Sequence, residues 1–399
     1  MPIVMMHTYH SHPHRSRGGL TRMSQSSSFE PLNRVFKSCA TTKIWKKPLL
    51  ITEYGHVYWN KYRYEQAFSM GAYAALNGVS AMSVHAGTST INKINPIHPF
   101  ACAADPIVEV SEFLTAHMLL RKDVAESKSS VRVDYSTKEA FENLMILGGI
   151  SSEQANMALI TRISLAPDET LPPVENEFLL KSSGTSQIKT FAGYSINADK
   201  DNAIESTDKI VDEMKKLGMI PQDNRTSAKN RIFESSTGEL YLDASKNFMS
   251  IDTPRLQGIC AEAKSKARLS NLSVRNMTKR GNISVVSVDG ESLSKSKRMV
   301  LVVATNAINS GSGFTDETME VRLDKYIGSL PVLVETTRIS FALKNKNAQK
   351  LKLYALNMDG SRRFEIPLNN GTDSITATIN TATQGKKGGV SVFYEIVAE

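Results

Sequence analysis

One short stretch constrains the fold of this chain more than any other: residues 47–56, Lys-Pro-Leu-Leu-Ile-Thr-Glu-Tyr-Gly-His. Residues 49–52 form a short apolar run of the kind found in parallel strands that are buried on both faces. Polar side chains follow at once, at Glu53, Tyr54 and His56. Because the active sites of β/α barrels lie at the carboxyl ends of their strands, this order predicts a buried strand that ends in functional groups. The same residues also fit a strand followed by a polar loop without chemistry.

The neighbouring segments repeat the pattern of an apolar run followed by a polar cluster. Residues 2–7 are such a run and lead into His7, Tyr9, His10 and His12, while residues 81–84 lead into His85. Amphipathic patterns predict helices over 30–44, 65–77 and 108–121. Residues 1–122 therefore form three predicted strand–helix units, and since a closed barrel has eight, three can be only part of one.

The rest of the chain has a different character. Residues 123–230 are a mixed connecting region, with helices predicted over 137–147 and 206–217 and loops over 172–175 and 182–186. From residue 231 onward ten short β-type runs alternate with turn signals such as Asp-Gly at 289–290. The predicted fold class is α/β plus all-β: a partial (β/α)8 barrel, comprising the last three β/α units, followed by an antiparallel β-sandwich domain over 231–399.

Composition and charge limit the kinds of partner that we expect this chain to bind. The net charge is +8, but lysine and arginine are scattered and carry no nucleic-acid motif, so we expect a solvated surface and no nucleic-acid partner. No apolar run approaches the roughly 18–20 residues of a membrane span, and the first residues lack the basic region of a signal peptide. The three cysteines are far apart, which predicts free thiols.

The histidines and tryptophans are all found before residue 118, so we expect the chemistry to lie in the first third of the chain. His10, His12 and His14 have a spacing that suggests a metal site, but Pro13 argues against a continuing strand and no carboxylate or cysteine is nearby. We therefore predict a hydrogen-bonding rim of a polar pocket, with no metal and no cofactor.

Four segments together carry a resemblance to a known family. They are Thr-Glu-Tyr-Gly-His (52–56), Asn-Lys-Tyr-Arg-Tyr-Glu (60–65), Ala-Tyr-Ala-Ala-Leu (72–76) and the strand at 81–85. This part of the chain resembles the last part of a clan-A (β/α)8-barrel retaining glycoside hydrolase. His-Thr-Tyr-His-Ser-His-Pro (7–13) is similar to the end of strand six, which lines the sugar site in that clan. Asp-Thr-Pro-Arg-Leu-Gln (252–257) resembles the C-terminal β domain of large bacterial members.

The resemblance implies a carbohydrate substrate and assigns roles to residues. The clan's nucleophile is a glutamate that ends strand seven, and Glu53 matches that position. Other residues near it would contact or surround the sugar: His7, Tyr9, His10, His12, Tyr54, His56, Trp59, Asn60 and His85. Complete relatives are often secreted or periplasmic, and the sequence leaves the compartment of this chain open.

The departure from the family is large. Strands one to five are missing, and with them the Asn-Glu pair that supplies the acid/base. A retaining enzyme needs two carboxyl groups about 5–5.5 Å apart, and the pair Asn176-Glu177 is interpreted as a surface pair downstream of the barrel segment. We therefore expect the C-terminal part of a longer enzyme, a split-gene product or a degenerate relative, inactive or poorly active alone. The expected partners are the missing N-terminal barrel segment or a second copy.

Two other functions stay open. The first is a non-catalytic carbohydrate-binding or interaction protein in which the β domain is the working part. The second is another β/α enzyme whose site uses the histidine cluster, with or without a metal.

Overall fold

The computed structural model describes residues 2–16, 18–30, 32–85, 95–138, 150–181, 187–188, 196–197, 206–382 and 389–399. Over these residues the protein is mixed α/β, with few helices and a large region of antiparallel sheet. The loop predicted over 182–186 and most of the helix predicted over 137–147 lie outside the described residues.

The α-helices are short, apart from α3 and α5. They are α1 (Arg34–Ala40), α2 (Tyr73–Leu76), α3 (Pro106–Leu119), α4 (Ser152–Ala155) and α5 (Thr207–Lys216). The helix predicted over 65–77 is instead a 3₁₀ turn, a π-helical segment and α2 in succession, covering Arg63–Glu65, Ala67–Ala72 and Tyr73–Leu76. Further 3₁₀ turns are Asn156–Leu159, Ala228–Asn230, Ala244–Lys246 and Ala348–Lys350. None of the helices in the described part of the chain is long and apolar enough to cross a membrane.

The strands, in chain order, are β1 (Val4–His10), β2 (His14–Ser16), β3 (Leu20–Arg22), β4 (Leu49–His56), β5 (Ala81–Val84), β6 (Ser130–Tyr135), β7 (Arg162–Pro167), β8 (Glu177–Lys181), β9 (Gln187–Ile188), β10 (Ile196–Asn197), β11 (Ile232–Glu234), β12 (Leu240–Asp243), β13 (Phe248–Asp252), β14 (Leu256–Ala261), β15 (Ala267–Arg268), β16 (Leu272–Arg275), β17 (Gly281–Ser287), β18 (Arg298–Ala304), β19 (Ala307–Ser310), β20 (Val321–Leu323), β21 (Ser329–Val334), β22 (Arg338–Lys344), β23 (Leu351–Leu356), β24 (Arg362–Ile366), β25 (Asn369–Asn370), β26 (Ser374–Asn380) and β27 (Phe393–Ala398).

The first sheet has the order β1-β4-β5, and all its strands are parallel. This confirms the predicted adjacency of the first three strands. Strand β1 is longer than predicted, because backbone pairing continues past the apolar run to His10, opposite His56. One face of the sheet packs on α1–α3 through buried side chains such as Leu49 and Ile51. The register shifts at Thr52, so that Glu53 lies opposite His7.

A second parallel sheet, of order β7-β6-β8, lies in the region that the sequence left as mixed. It was missed because its central strand carries Arg132, which is fully buried. The guanidinium is neutralised by Asp134 and by Glu177, at 2.8 and 3.1 Å. The interpretation of Asn176-Glu177 as a surface pair is therefore wrong for Glu177, which is buried and also accepts a hydrogen bond from Trp45.

Residues 231–399 are antiparallel, as predicted. Their largest sheet has the order β11-β12-β13-β14-β17-β18-β27-β23-β24, and a second has the order β15-β16-β22-β26-β25. Side chains from both sheets, such as Leu301 and Phe341, share one apolar cluster. The large sheet also contributes residues such as Ile251 and Cys260 to the cluster that holds the parallel strands and their helices. The core thus extends across the predicted boundaries at 122 and 230, and the division into domains stays a prediction.

The connection between β18 and β22, residues 305–337, returns to the carboxyl end of the first sheet. Within it, β20 pairs with β3, and the backbone amide of Asn309 donates to the Tyr58 hydroxyl at 2.8 Å. The Trp59 indole donates to the Met319 carbonyl at 2.9 Å. This 305–337 connection therefore forms part of the wall around the end of strand β4.

Candidate functional site

Glu53 is the centre of a small polar cluster at the carboxyl end of the parallel sheet. Its side chain is 33% exposed, and Oε2 accepts a hydrogen bond from the hydroxyl of Tyr9 on the neighbouring strand. His7 Nδ1 lies 3.5 Å and His85 Nδ1 3.9 Å from the same oxygen. Strand β1 contributes Tyr9 and His7, β4 contributes Glu53, and His85 directly follows β5, as expected where parallel strands end together.

The cluster favours an ionised Glu53. The hydrogen bond from Tyr9 is the largest influence on the pKa of Glu53 and lowers it, and the nearby His7 and His85 lower it further against the effect of desolvation. Burial, together with the same hydrogen bond, raises the pKa of Tyr9, so this hydroxyl keeps its proton and remains a donor. A carboxylate held in this way by donors, and still reachable by solvent, is suited to act as a nucleophile or as a ligand for a hydroxyl group.

His10 and His56 lie beneath this cluster, and His56 also lines the small cavity that adjoins it. They are 8% and 3% exposed, and their ring centroids are 4.8 Å apart. His10 Nε2 donates to the Ser26 carbonyl at 2.8 Å, and the Ser69 hydroxyl lies 2.9 Å from His56 Nε2. Burial lowers the pKa of both rings, which favours neutral imidazoles. Their predicted role as sugar contacts is revised to support of the strand ends.

Tyr54 faces the opposite side of the sheet from Glu53, because successive side chains of a strand alternate between its faces. It is 1% exposed, and its hydroxyl donates to Glu112 on α3 at 2.6 Å. A direct sugar contact at Tyr54 is therefore wrong for this arrangement. Glu112 also accepts from Gln66 at 3.3 Å, and Gln66 accepts the backbone amide of His56 at 2.8 Å.

Trp59 and Asn60 are fully buried, so neither offers a surface to a sugar. The Trp59 ring packs against Phe314 of the 305–337 connection. The Asn60 amide donates to the Ser11 hydroxyl and to the Ser24 and Ser26 carbonyls at 3.0–3.1 Å, which holds the loop after β1. Their predicted sugar contacts are corrected to positions that support the loops around Glu53.

His12 is exposed at the rim and lies beside Phe100, with ring centroids 5.2 Å apart. His14 lies next to it, at 5.8 Å between ring centroids. Because His10 is turned inward, the three histidines do not converge on one point. Within the described residues, no group of three or more His, Cys, Asp or Glu side chains is arranged to hold a metal ion.

A small cavity, with about 10 Å³ of space open to water, adjoins the cluster. Tyr9, Tyr58, His85 and Phe100 are among its lining residues. Sequence reasoning had included Tyr9, His56 and His85 but missed Tyr58 and Phe100. Phe100 follows a segment without periodicity, and Tyr58 is placed by the 305–337 connection, whose return could not be foreseen from local sequence.

Comparisons with known proteins found no match to any family model, to any curated protein or to any solved structure. The assignment of a function therefore depends on the residues and on their geometry.

Proposed function

We propose that this protein is the Glu53-bearing part of a retaining glycoside hydrolase that acts on O-glycosyl bonds of a poly- or oligosaccharide. The observation that carries the proposal is the position of Glu53 at the carboxyl end of a parallel strand, where its carboxyl group accepts a hydrogen bond from the hydroxyl of Tyr9 and lies near His7 and His85. In this role a carboxylate oxygen of Glu53 attacks the anomeric carbon while the bond to the leaving oxygen breaks. Water then attacks the same carbon and releases Glu53.

The proposal includes a fold. The parallel strands β1, β4 and β5 are taken as the last three units of a (β/α)8 barrel, and the two antiparallel sheets as a β-sandwich that follows it. The shared apolar cluster of the two sheets supports the sandwich. The open inner face of the parallel sheet, where Met5 is 65% exposed, supports a barrel that further strands would complete.

We assign the acid/base carboxyl group to residues outside the described part of this chain or to a partner chain. The described contacts of Glu53 are Tyr9, His7 and His85, and none of them is a carboxyl group. A retaining mechanism needs a second carboxyl group to protonate the leaving oxygen. We therefore expect this chain to act poorly on natural glycosides when it is alone.

The test uses substrates that do not need the missing acid. Dinitrophenyl glycosides carry a leaving group that departs without a proton, so their first step depends on the nucleophile alone. We expect slow release of dinitrophenolate from one member of a panel of sugars, and a loss of about a thousandfold or more in Glu53→Gln. Glu109→Gln, on α3, is the matched control and should keep the wild-type rate. Equal rates for wild type and Glu53→Gln would refute the proposal.

A second candidate is a non-catalytic carbohydrate-binding protein. It is favoured by the same lack of a second carboxyl group among the described contacts of Glu53. In that case calorimetry would detect sugar binding that depends on His7 and His85, while no dinitrophenyl glycoside would be hydrolysed.

A further inference from the structure

Arg322 is a buried cation whose hydrogen-bonding capacity is largely unused. The residue is 7% exposed, and its Nε and Nη1 atoms are buried without a hydrogen-bond partner among the described residues. Its guanidinium carbon lies 4.4 Å from the centroid of the Trp59 ring. Stacking on an indole stabilises a cation, but it leaves the N–H groups in the guanidinium plane unsatisfied. Such a group is costly to keep unless a partner binds it.

The small sheet β2-β3-β20 places a second guanidinium beside it. Thr21 on the central strand pairs with Arg15 on one side and with Arg322 on the other. Residues paired directly across strands have side chains on the same face, so Arg15, Thr21 and Arg322 form a row across the sheet. Arg15 is exposed, at the open end of this row. Two like charges on one face repel each other, and an anion between them would relieve the repulsion.

Among the described residues, the one carboxylate that acts on Arg322 from close by already accepts another hydrogen bond. Asp324 follows β20, and its Oδ1 accepts the Thr21 hydroxyl at 2.5 Å. Burial lowers the pKa of Arg322 and outweighs the opposing effect of Asp324. Because Asp324 is held by Thr21, it forms no hydrogen bond with Nε or Nη1 of Arg322. Neither of these atoms has a partner among the described residues.

We propose that Arg322, with Arg15, binds an anionic substituent of the ligand, a sulfate ester or a carboxylate carried on a sugar. A guanidinium donates strong, charge-assisted N–H···O bonds to either group. Trp59 belongs to the loop that directly follows β4, so the anion site and Glu53 lie at the same end of the parallel sheet. This inference deepens the proposed function. It rests on that function for the sugar part of the ligand, whereas the binding of an anion is argued independently of it. The proposed substrate class is an acidic polysaccharide.

The first experiment uses inorganic sulfate and is independent of any hydrolase activity. Thermal unfolding is followed in millimolar sodium sulfate and in sodium chloride of equal ionic strength. We expect the midpoint of the wild-type protein to rise saturably with sulfate, as it does for a ligand that binds only the folded state. Arg322→Met keeps the aliphatic contact with Trp59 and removes the charge, so it should fold and lose the saturable rise. Arg268→Met removes an exposed arginine on β15 and should behave like the wild type.

The second experiment separates the two sources of the anion and the two proposals. Binding of a sulfated, a uronic-acid and a neutral oligosaccharide is measured by calorimetry on wild type, Arg322→Lys and Glu53→Gln. We expect one of the acidic sugars to bind at least about tenfold more tightly than the neutral one, and this preference to fall in Arg322→Lys but to persist in Glu53→Gln. The inference would be overturned if the unfolding midpoint of the wild-type protein showed no saturable rise with sulfate. It would also be overturned if the wild-type protein bound neither acidic sugar more tightly than the neutral one. An unchanged sulfate response in Arg322→Met would overturn it as well. Failure of Glu53→Gln to affect turnover would overturn only the proposed function.

Discussion

The buried ion pair between Arg63 and Asp105 gives the sharpest prediction on stability. Their side chains are 1% and 0% exposed, and Arg63 Nε donates to Asp105 Oδ2 at 2.7 Å. Arg63 also donates to the carbonyls of Asn60, at 2.7 Å, and Ala307, at 2.6 Å. One guanidinium therefore joins the loop after β4, the start of α3 and the first strand of the 305–337 connection.

We predict that Arg63→Met lowers the free energy of unfolding by about 3–5 kcal/mol, because removing one partner leaves the other charge buried and unpaired. The two carbonyls also lose their donor, which favours the upper part of this range. Asp105→Asn should cost a similar amount, although Asn can still cap α3 through the amide of Ile107. In the double variant the costs should fall short of their sum by at least ~1 kcal/mol, since the second change removes the charge that the first left unpaired.

The assay is urea unfolding followed by fluorescence and circular dichroism on the four members of this double-mutant cycle. Lys216→Met is the control, because Lys216 and Glu213 form an exposed pair that water screens and that should contribute little to stability. If Arg63→Met cost no more than Lys216→Met, or if the two single costs simply added, the reasoning on this buried pair would be wrong.

Three further predictions concern single groups. Tyr9→Phe removes the largest cause of the lowered pKa of Glu53, so carboxyl carbon NMR should show Glu53 titrating at higher pH than in the wild type. An unchanged Glu53 titration would contradict the hydrogen bond. Burial raises the pKa of Glu65 to about 8. The folded state therefore holds an extra proton from the unfolded pKa of roughly 4.3 up to that value, and the free energy of unfolding should fall as the pH rises through this window. Glu65→Gln should remove this slope in urea midpoints, and a slope that persists would exclude Glu65 as its source. Met5→Lys, on the open face of β1, should reduce self-association in sedimentation velocity more than Met358→Lys, at the exposed turn after β23, and equal effects would argue against that face.

The sequence predicted the parallel strands well, because their evidence is local. An apolar run that ends in polar groups marks β1, β4 and β5, and the positive φ of Gly78 follows from its place after a helix. The antiparallel strands were also predictable from short runs and turns. The sheet around β6 was not, because its central strand buries Arg132, which local patterns assign to the surface.

The candidate site was predictable only in part, for a physical reason. Strand alternation and the register shift at Thr52 decide which side chains join Glu53, and neither can be known from one strand alone. The sequence therefore grouped Tyr54 and His56 with Glu53, whereas the structure turns both inward. Arg322 reaches Trp59 only through pairing between β20 and β3, which are separated by about three hundred residues, so no local signal could indicate it.

The most direct test of the central claim is the position of a covalent label. A panel of 2-deoxy-2-fluoroglycosyl fluorides, which trap the glycosyl-enzyme intermediate of retaining enzymes and need little acid assistance, is incubated with the protein and analysed by intact mass and peptide mapping. We predict one sugar per chain, attached to Glu53, and no label in the Glu53→Gln variant. A label on another residue, a label that persists in Glu53→Gln, or a wild-type chain that takes up no member of the panel would contradict Glu53 as the nucleophile.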